Sequence, residues 1–279
     1  MGSNEIMRKV GVFLGWCLFL GALAGALYLF LEERNNGSGP VTTVCIQTQN
    51  DADSTLIVQD GAAILIDAGE EADAAHILEV MRQYGVEALD YFILTHGDKD
   101  HVGGAAKVLN EIPAKTVIQP YYEAGSEVQA LNDALKQARV PVIYPARTMR
   151  MRAGQIRFLV YPPLEKHYND ENNYSLAVLV QHGRVNELFA GDALRKRGEE
   201  LLLIDWPVID LYKVPHHGRA NGASEKLFDR LQPQFAVVTA KTADEAVVNA
   251  AQQNETQLFY TAQGDCVFIS DAEQLQAVQ

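Results

Sequence analysis

The longest apolar segment of the chain lies near its N-terminus. Val10 to Leu31 holds 22 residues without a charged side chain. A helix of that length spans about 33 Å, enough to cross the core of a bilayer. Arg8 and Lys9 precede the segment. Because basic residues favour the cytoplasmic side, the pattern predicts a transmembrane anchor at 10–31, a short cytoplasmic segment at 1–9, and a C-terminal domain outside the cytoplasm, periplasmic or extracellular. A cleaved signal peptide is the alternative, but the apolar segment is long for one.

Small residues recur on one side of this predicted helix. Gly11 and Gly15, and then Gly21 and Gly25, form two GxxxG pairs, which fall within an arc of about 120° at helical spacing. Such pairs let two membrane helices approach closely, so the pattern is compatible with a homodimer through this face, and equally with the general frequency of glycine in membrane helices. Residues 32–40, which include the sequence NNGSGP, then predict a flexible linker.

From residue 41 the pattern changes to short apolar segments, separated by turns and by stretches with helical spacing. Several segments are continuously apolar, which is typical of strands buried on both faces. The predicted strands are Val41–Ile46, Thr55–Val58, Ala62–Ile66, Leu89–Leu94, Val117–Gln119, Val142–Tyr144, Ile156–Tyr161, Leu176–Gln181, Glu187–Ala190, Leu211–Val214 and Phe235–Thr239. The predicted helices are Ala72–Tyr84, Val102–Leu109, Glu127–Gln137, Glu225–Leu231 and Asp244–Ala251, and a hairpin at Leu258–Ser270 turns at QGD. The pattern therefore predicts an α/β domain over 41–279, with two sheets packed face to face and helices outside, a four-layer αββα sandwich.

Charge and cysteine content exclude some classes of protein. A net charge of −13 weighs against a protein that coats nucleic acid through a general basic field. Arginines cluster between residues 139 and 157 and in RKR at 195–197; we interpret them as solvated faces, or as a track for a phosphate backbone if they flank the site. Cys45 and Cys266 lie in predicted strands outside any CxxC pair, so two buried free thiols are favoured over a disulfide.

The segment LTHGDKDHVGG, Leu94 to Gly104, concentrates metal-binding side chains directly after a predicted buried strand. His96, Asp98 and Asp100 alternate, so an extended loop can direct all three to one side, and His101 then begins a helix. The carboxyl ends of strands are where α/β folds place their sites. A solvated acidic turn with two incidental histidines is the alternative interpretation.

Two later strand ends carry the same residue types. The sequence LFAGDA places Asp192 after an apolar strand, and LYKVPHHG places His216 and His217 after another. Three strand ends that all supply candidate ligands indicate one convergent site. Asp67, which follows a fourth strand, is expected to brace the ligand loop through hydrogen bonds.

Together these segments resemble the metallo-β-lactamase fold superfamily, and more narrowly the hydrolase domain of competence DNA-uptake channel (ComEC-type) proteins. That group carries HxDxDHxGG, then N-x-S, GD and KVPHHG, and this chain reads HGDKDHVGG, NYS (Asn173 to Ser175), GD and KVPHHG. The likeness covers about 41–271. It departs at IQTQNDADS (Ile46 to Ser54), where the group has a DVGQGDS-like stretch, and at Arg219, where the group has serine. One predicted anchor cannot form a channel, so the resemblance does not imply DNA uptake itself.

The resemblance implies two metal ions in one site. By position, the ligands would be His96 and Asp98 for one ion, and Asp100, His101 and His216 for the other, with Asp192 bridging. Asp100 would also serve catalysis, and His217 would act as a general acid or hold a phosphoryl oxygen. No imidazole stands near Asn173 to Ser175, where a third ligand of the first ion is expected. The site is therefore rich in oxygen donors, which favours manganese or magnesium over zinc.

The sequence thus predicts a membrane-anchored dinuclear-metal hydrolase that acts outside the cytoplasm as a phosphodiesterase or nuclease. Two divalent ions, manganese or zinc with magnesium as a third choice, can activate water and stabilise a leaving oxygen. Single-stranded nucleic acid is the first substrate that the resemblance suggests. Hydrolysis of a small ester, lactone or thioester is the alternative among enzymes, and a non-catalytic binding or accessory module on the same fold is the alternative outside them.

Overall fold

The computed structural model describes residues 39–121 and 126–278. These described residues form one compact unit. The predicted anchor at 10–31 and its GxxxG face lie outside the described residues. Within the described part of the chain, no helix has the length and apolar character needed to cross a membrane.

The described residues form fifteen strands in two sheets. In chain order the strands are β1 (Val41–Cys45), β2 (Thr55–Gln59), β3 (Ala62–Ile66), β4 (Tyr91–Ile93), β5 (Val117–Ile118), β6 (Val142–Ile143), β7 (Met149–Ala153), β8 (Ile156–Tyr161), β9 (Ala177–His182), β10 (Val185–Phe189), β11 (Leu211–Lys213), β12 (Phe235–Val238), β13 (Gln257–Tyr260), β14 (Cys266–Ser270) and β15 (Leu275–Ala277). The first sheet has the order β15-β14-β1-β2-β3-β4-β5-β6, and the second has the order β13-β12-β11-β10-β9-β8-β7.

Parallel pairing decides where the site can form. Strands β3, β4, β5 and β6 run parallel in the first sheet. In the second sheet β10, β11, β12 and β13 run parallel. Parallel strands present their carboxyl ends at one edge of a sheet, and side chains that follow these strands therefore gather there.

Seven α-helices lie along the described residues: α1 (Ala74–Gln83), α2 (Lys99–Val102), α3 (Ala105–Glu111), α4 (Ser126–Ala138), α5 (Arg195–Leu201), α6 (Ser224–Leu231) and α7 (Glu245–Gln253). Ile77 and Leu131 from α1 and α4 pack with Phe92 on the outer face of the first sheet. Leu227 from α6 packs with Tyr212 on the outer face of the second sheet. Between the sheets lies an apolar layer that includes Ile64, Ile93, Phe158, Val178 and Phe189. These layers confirm the αββα sandwich.

Two predicted elements differ from the structure. The hairpin predicted at Leu258–Ser270 is wrong, because β13 pairs with β12 in the second sheet while β14 pairs with β1 in the first. Apolar alternation identifies a strand but not its partner. The helix predicted at Val102–Leu109 is two helices, α2 and α3, which meet at Gly103 and Gly104. A Cβ atom on Gly104 would collide with the carbonyl oxygen of Ala68, so glycine is needed for this close approach.

The RKR segment is not a solvated face throughout. It begins α5, and Arg197 is buried, where its guanidinium contacts Glu200 at 2.8 Å and the carbonyl oxygens of Ser175 and Tyr161 at 2.9 and 2.7 Å. This arginine therefore ties the 173–175 segment to the second sheet. Cys45 and Cys266 are cross-strand partners in β1 and β14, and both are buried free thiols, as predicted.

Candidate metal centre

Four buried side chains from distant parts of the sequence meet at the carboxyl ends of the parallel strands. Asp53, His101, Asp192 and His217 each offer one ligand atom, and these atoms all lie within 4.8 Å of one another. His101 lies in α2, Asp192 follows β10, and His217 lies in a short 3-10 turn after β11. Both sheets therefore contribute to one site.

The inner atoms of this cluster face one another without hydrogen-bond partners. Nε2 of His101 lies 3.2 Å from Oδ1 of Asp192, and Nε2 of His217 lies 2.9 Å from Oδ2 of Asp192. Nε2 of His217 also lies 3.2 Å from Oδ2 of Asp100. Both Nε2 atoms and Oδ1 of Asp192 are buried and without a hydrogen bond. A buried polar atom without a partner costs about 1–3 kcal/mol. A bound divalent cation would satisfy all of these atoms at once, so the residues fit a metal.

The outer nitrogen of each imidazole is held by a carboxylate. Nδ1 of His101 lies 2.8 Å from Oδ2 of Asp67. Asp67 also accepts hydrogen bonds of 2.7 Å from both the backbone N–H and the hydroxyl of Thr95, which confirms the bracing role expected of it. Nδ1 of His217 lies 3.1 Å from Oδ1 of Asp53 and 3.0 Å from the hydroxyl of Thr239. A carboxylate behind Nδ1 fixes the tautomer that leaves Nε2 free to bind a metal.

Asp53 is a functional residue that the sequence analysis did not identify. Its carboxylate contacts the buried ammonium group of Lys213, the hydroxyl of Thr239 and Nδ1 of His217. Because these contacts occupy its oxygens, Asp53 is better placed to orient His217 than to bind a metal. A signal was present: Asp53 and Ser54 end the IQTQNDADS stretch and match the last two letters of DVGQGDS.

The carboxylates raise the pKa values of both imidazoles. Burial disfavours the charged form of His101, yet Asp192, Asp67 and Asp53 hold its pKa well above the ordinary value. Burial acts in the same direction on His217, but Asp53 and the other carboxylates that face it raise its pKa to about 10. Burial opposes ionisation of Asp192, while the two imidazoles hold its pKa well below the usual range. Because a metal binds the neutral form of an imidazole, raised pKa values mean that metal binding at this cluster competes with protonation.

His96 and Asp98 lie on a more open side of the site. The His96 ring is buried, its centroid is 4.1 Å from that of His101, and its Nε2 has no hydrogen-bond partner. Oδ2 of Asp98 lies 3.6 Å from this Nε2, and the Asp98 side chain is 35% exposed. Asp100 is also partly exposed, at 25%. The site therefore opens to solvent along Asp98 and Asp100.

The 173–175 segment supplies structural contacts next to this open side. The hydroxyl of Ser175 accepts a 3.0 Å hydrogen bond from the backbone N–H of Asp192. Oδ1 of Asn173 accepts a 3.0 Å hydrogen bond from the backbone N–H of Arg197. Gly191 has φ +51°, and a Cβ atom there would lie 2.7 Å from Oγ1 of Thr95, so glycine lets the Asp192 loop approach the strand that precedes His96.

The structure brings His217, and not His216, into the cluster. His216 and His217 both adopt left-handed backbone conformations, with φ +52° and +55°. Residues other than glycine seldom adopt this conformation. This geometry turns the His217 ring towards Asp192. The two ring centroids are 6.1 Å apart. His216 as a whole is partly buried, and its Nδ1 atom is inaccessible to solvent and has no hydrogen-bond partner. The ligand expected at His216 thus lies beside the cluster, and the acid expected at His217 lies within it. Strain of this kind persists where the surrounding packing enforces it and is common at active sites.

Comparison of the sequence with known proteins identifies a family of metal-dependent proteins. Residues 48–238 match the model of the metallo-beta-lactamase superfamily. ComE operon protein 3 of Bacillus subtilis (strain 168) is 29% identical over 159 residues, which is 56% of this chain and 20% of that protein. Competence protein ComA of Neisseria gonorrhoeae is 27% identical over 221 residues, 75% of this chain and 29% of that protein. The chain therefore spans less than a third of the length of either relative.

A solved structure shows the same fold. The metallo-beta-lactamase fold protein YhfI from Bacillus subtilis aligns with a TM-score of 0.59 over 83% of this chain and 100% of its own, at 12% identity. The family match covers well over half of the chain and contains His96, His101, Asp192 and His217. The chain belongs to the metallo-β-lactamase superfamily, and within it resembles the hydrolase domain of ComEC-type competence proteins.

Proposed function

We propose that this protein is a two-metal phosphodiesterase that cleaves single-stranded nucleic acid. The observation that carries the proposal is the set of buried, unpartnered atoms that face one another at the ends of the two sheets. Asp100, His101 and His217 would hold one ion, His96 and Asp98 would hold the other, and Asp192 would serve both. The likeness to competence proteins supports nucleic acid as the substrate class.

The donor set favours a metal with a preference for oxygen. Three of the six proposed ligands are carboxylates, namely Asp98, Asp100 and Asp192, and Ser175 stands near the place where a further imidazole is expected. Carboxylate-rich sites suit manganese and magnesium, whereas imidazole suits zinc well. We therefore propose manganese as the preferred ion.

The roles of the two adjacent histidines are exchanged relative to the expectation from the sequence. His217 points its Nε2 at Asp192 and Asp100, so it is the proposed ligand. His216 is partly buried beside them, and burial lowers the pKa of its imidazole. A neutral imidazole at this position can accept a proton from the attacking water or donate a hydrogen bond to a phosphoryl oxygen.

When bound, the two ions would supply Lewis-acid activation of water and stabilise the charge that develops on the phosphate and leaving oxygen. The protein itself keeps the ligands in place. Asp67 and Asp53 orient His101 and His217 from behind, and Lys213 neutralises Asp53 in a buried position. The hydroxyl of Ser175 accepts a hydrogen bond from the backbone N–H of Asp192 and so holds the loop after β10. The carboxylate of Asp192 lies between the imidazoles of His101 and His217.

The test is hydrolysis by the 279-residue chain, stripped of metal and then loaded with Mn²⁺ or Zn²⁺. Substrates are single-stranded DNA, bis(p-nitrophenyl) phosphate, a thioester and a lactone. We expect Mn²⁺-dependent cleavage of both phosphodiesters. Cleavage of the thioester or lactone alone would replace the phosphodiesterase proposal with the small-ester alternative. Metal binding without turnover on any substrate would favour the accessory module.

We also propose that the domain is anchored to a membrane through residues 10–31 and acts outside the cytoplasm. The support is the apolar segment preceded by Arg8 and Lys9. A reporter that is active only outside the cytoplasm, fused after Gln279, is expected to give signal. Signal from a reporter active only in the cytoplasm would reverse the orientation. Replacement of Gly15 and Gly21 by Ile should weaken self-association in a membrane assay if the GxxxG face forms a dimer.

A further inference from the structure

An exposed ion pair lies within two residues of His217 and Asp53, which belong to the metal centre. Nη2 of Arg219 lies 3.4 Å from Oδ2 of Asp51, and the two side chains are 52% and 36% exposed. Arg219 follows the proposed ligand His217 by two residues, and Asp51 precedes Asp53 by two. The pair therefore joins the two segments that supply His217 and its orienting carboxylate.

The same two segments flank Asp100. The backbone N–H of Asp53 donates a 3.0 Å hydrogen bond to the carbonyl oxygen of Asp100, and Nε2 of His217 lies 3.2 Å from the Asp100 carboxylate. Asp100 is one of the two partly exposed residues through which the site opens to solvent. Arg219 and Asp51 are therefore exposed residues of the two segments that contact Asp100, one of the side chains along which the site opens to solvent.

The backbone on the Arg219 side is fixed, although the arginine side chain is exposed. The N–H of Arg219 donates a 2.8 Å hydrogen bond to the carbonyl oxygen of His216. The N–H of the next residue, Ala220, donates a 2.8 Å hydrogen bond to the carboxylate of Asp244. An arginine with a fixed backbone and a partly free guanidinium can exchange one anionic partner for another without refolding of the loop.

The charges at the metal centre favour binding of an anionic substrate group by the guanidinium of Arg219. Two bound divalent cations would contribute four positive charges, against four negative charges from Asp98, Asp100, Asp192 and the outer Asp67, while Lys213 and Asp53 cancel. The loaded centre therefore offers little net attraction to an anionic diester beyond direct ligation. An exposed ion pair contributes about 1 kcal/mol or less, whereas a guanidinium can bind phosphate through two charge-assisted hydrogen bonds. A phosphate therefore competes well with Asp51.

We propose that Arg219 is a specificity-determining residue that binds a non-bridging oxygen of an anionic diester at the metal centre, and that Asp51 holds its guanidinium in place until the substrate arrives. The proposal rests on the proposed phosphodiesterase function. On this proposal, Arg219 favours binding of anionic diesters over neutral esters at the metal centre. Arg219 acts on binding, and bond cleavage is left to the metal centre.

The structure provides a matched control. Arg184 and Glu273 form another exposed ion pair of 3.4 Å. Arg184 lies in the turn before β10, at the edge of the second sheet opposite Asp192, so it is remote from the metal centre. R184Q removes the same charge from the same kind of contact and is expected to leave all substrate constants unchanged.

The experiment compares R219Q, D51N, R184Q and the unaltered 279-residue chain, each loaded with Mn²⁺ to equal metal content. We expect R219Q to raise KM for bis(p-nitrophenyl) phosphate about tenfold with kcat within about twofold. D51N should lower KM two- to threefold by releasing the guanidinium. Hydrolysis of p-nitrophenyl acetate should be the same in all four proteins.

A binding measurement separates this inference from the function on which it rests. Dimethyl phosphate, which is anionic and slow to hydrolyse, is titrated into each Mn²⁺-loaded protein by calorimetry. If the unaltered chain cleaves no phosphodiester, the proposed function fails, but weaker dimethyl phosphate binding in R219Q alone would still support Arg219. Equal binding and equal KM in R219Q and R184Q would overturn the inference, as would an equal loss on the neutral ester.

Discussion

The two sides of the metal centre are built differently. On the closed side, His101 and His217 are buried, and each has a carboxylate behind its outer nitrogen. On the open side, Asp98 is 35% exposed, and Ser175 holds the backbone of Asp192. The ligands of the closed side are fixed in orientation by hydrogen bonds to neighbouring carboxylates, whereas Asp98 on the open side is partly exposed to solvent.

This difference indicates which side of the centre binds its metal ion tightly and which side can exchange its ion. Outer hydrogen bonds restrict ligand orientation and raise metal affinity, so the closed side should hold its ion tightly. Partial exposure and a smaller set of imidazoles should let the open side exchange its ion and admit substrate. The arrangement predicts unequal metal affinities at the two positions, and the following experiments test that inequality.

The largest effect is expected from the two adjacent histidines. His217→Ala removes a proposed ligand from the closed side, so about half of the bound metal should be lost and activity should fall more than about a thousandfold. His216→Ala should keep the metal and lower activity about a hundredfold, as for a lost proton-transfer group. Elemental analysis after metal loading, together with turnover, checks both. Loss of metal in His216→Ala, with metal retained in His217→Ala, would restore the roles expected from the sequence.

The carboxylates behind the imidazoles should affect the closed side to different extents. Asp67→Asn should weaken metal binding about 10- to 100-fold, because His101 loses the partner that fixes its tautomer. Asp53→Asn should do the same through His217 and also destabilise the domain by about 3 kcal/mol, since the buried Lys213 loses its nearest carboxylate and keeps only the more distant Asp192 at 3.6 Å. Chelator competition measures the affinity, and urea unfolding measures the stability. Equal stability of the two variants would contradict the role assigned to the Asp53–Lys213 pair.

The metal-free closed side should make the domain sensitive to pH. The folded-state pKa of His217, raised to about 10, exceeds its ordinary value of about 6.5. Stabilisation by this group is therefore fully present below about pH 6.5 and is lost as pH rises towards 10. Thermal unfolding of the metal-free protein should occur at lower temperature at pH 9.5 than at pH 7, and a bound metal should reduce this change. His217→Asn should reduce the dependence in the metal-free protein, and a curve unaltered by that substitution would rule out His217 as its source.

The smallest effect is expected on the open side. Asp98→His replaces an oxygen donor with an imidazole, which should shift the preference from Mn²⁺ towards Zn²⁺ by about tenfold. Because Asp98 is 35% exposed, stability should change by less than about 0.5 kcal/mol. Activity with each metal, measured over a range of metal concentrations, gives the preference. An unchanged Mn²⁺ to Zn²⁺ ratio would show that Asp98 does not select the metal.

The sequence alone determined the layers of the fold and the chemistry of the ligand loop. Strands such as Ala62–Ile66 were predictable because short apolar segments have to be buried on both faces, a property local to the segment. His96, Asp98, Asp100 and His101 were identifiable because four metal-binding side chains follow one buried strand. Residue type and short-range spacing carry this information, and neither depends on distant parts of the chain.

The tertiary structure alone decided which side chain faces which. The consecutive left-handed residues His216 and His217 direct the second imidazole inward, a choice made by packing and invisible in the letters HHG. Asp53 reaches His217 across 164 residues, and β13 and β14 join different sheets although only five residues separate them. Side-chain direction and strand partnership depend on contacts between segments far apart in the chain, because the free energy of burial is shared by the whole domain rather than fixed by local sequence.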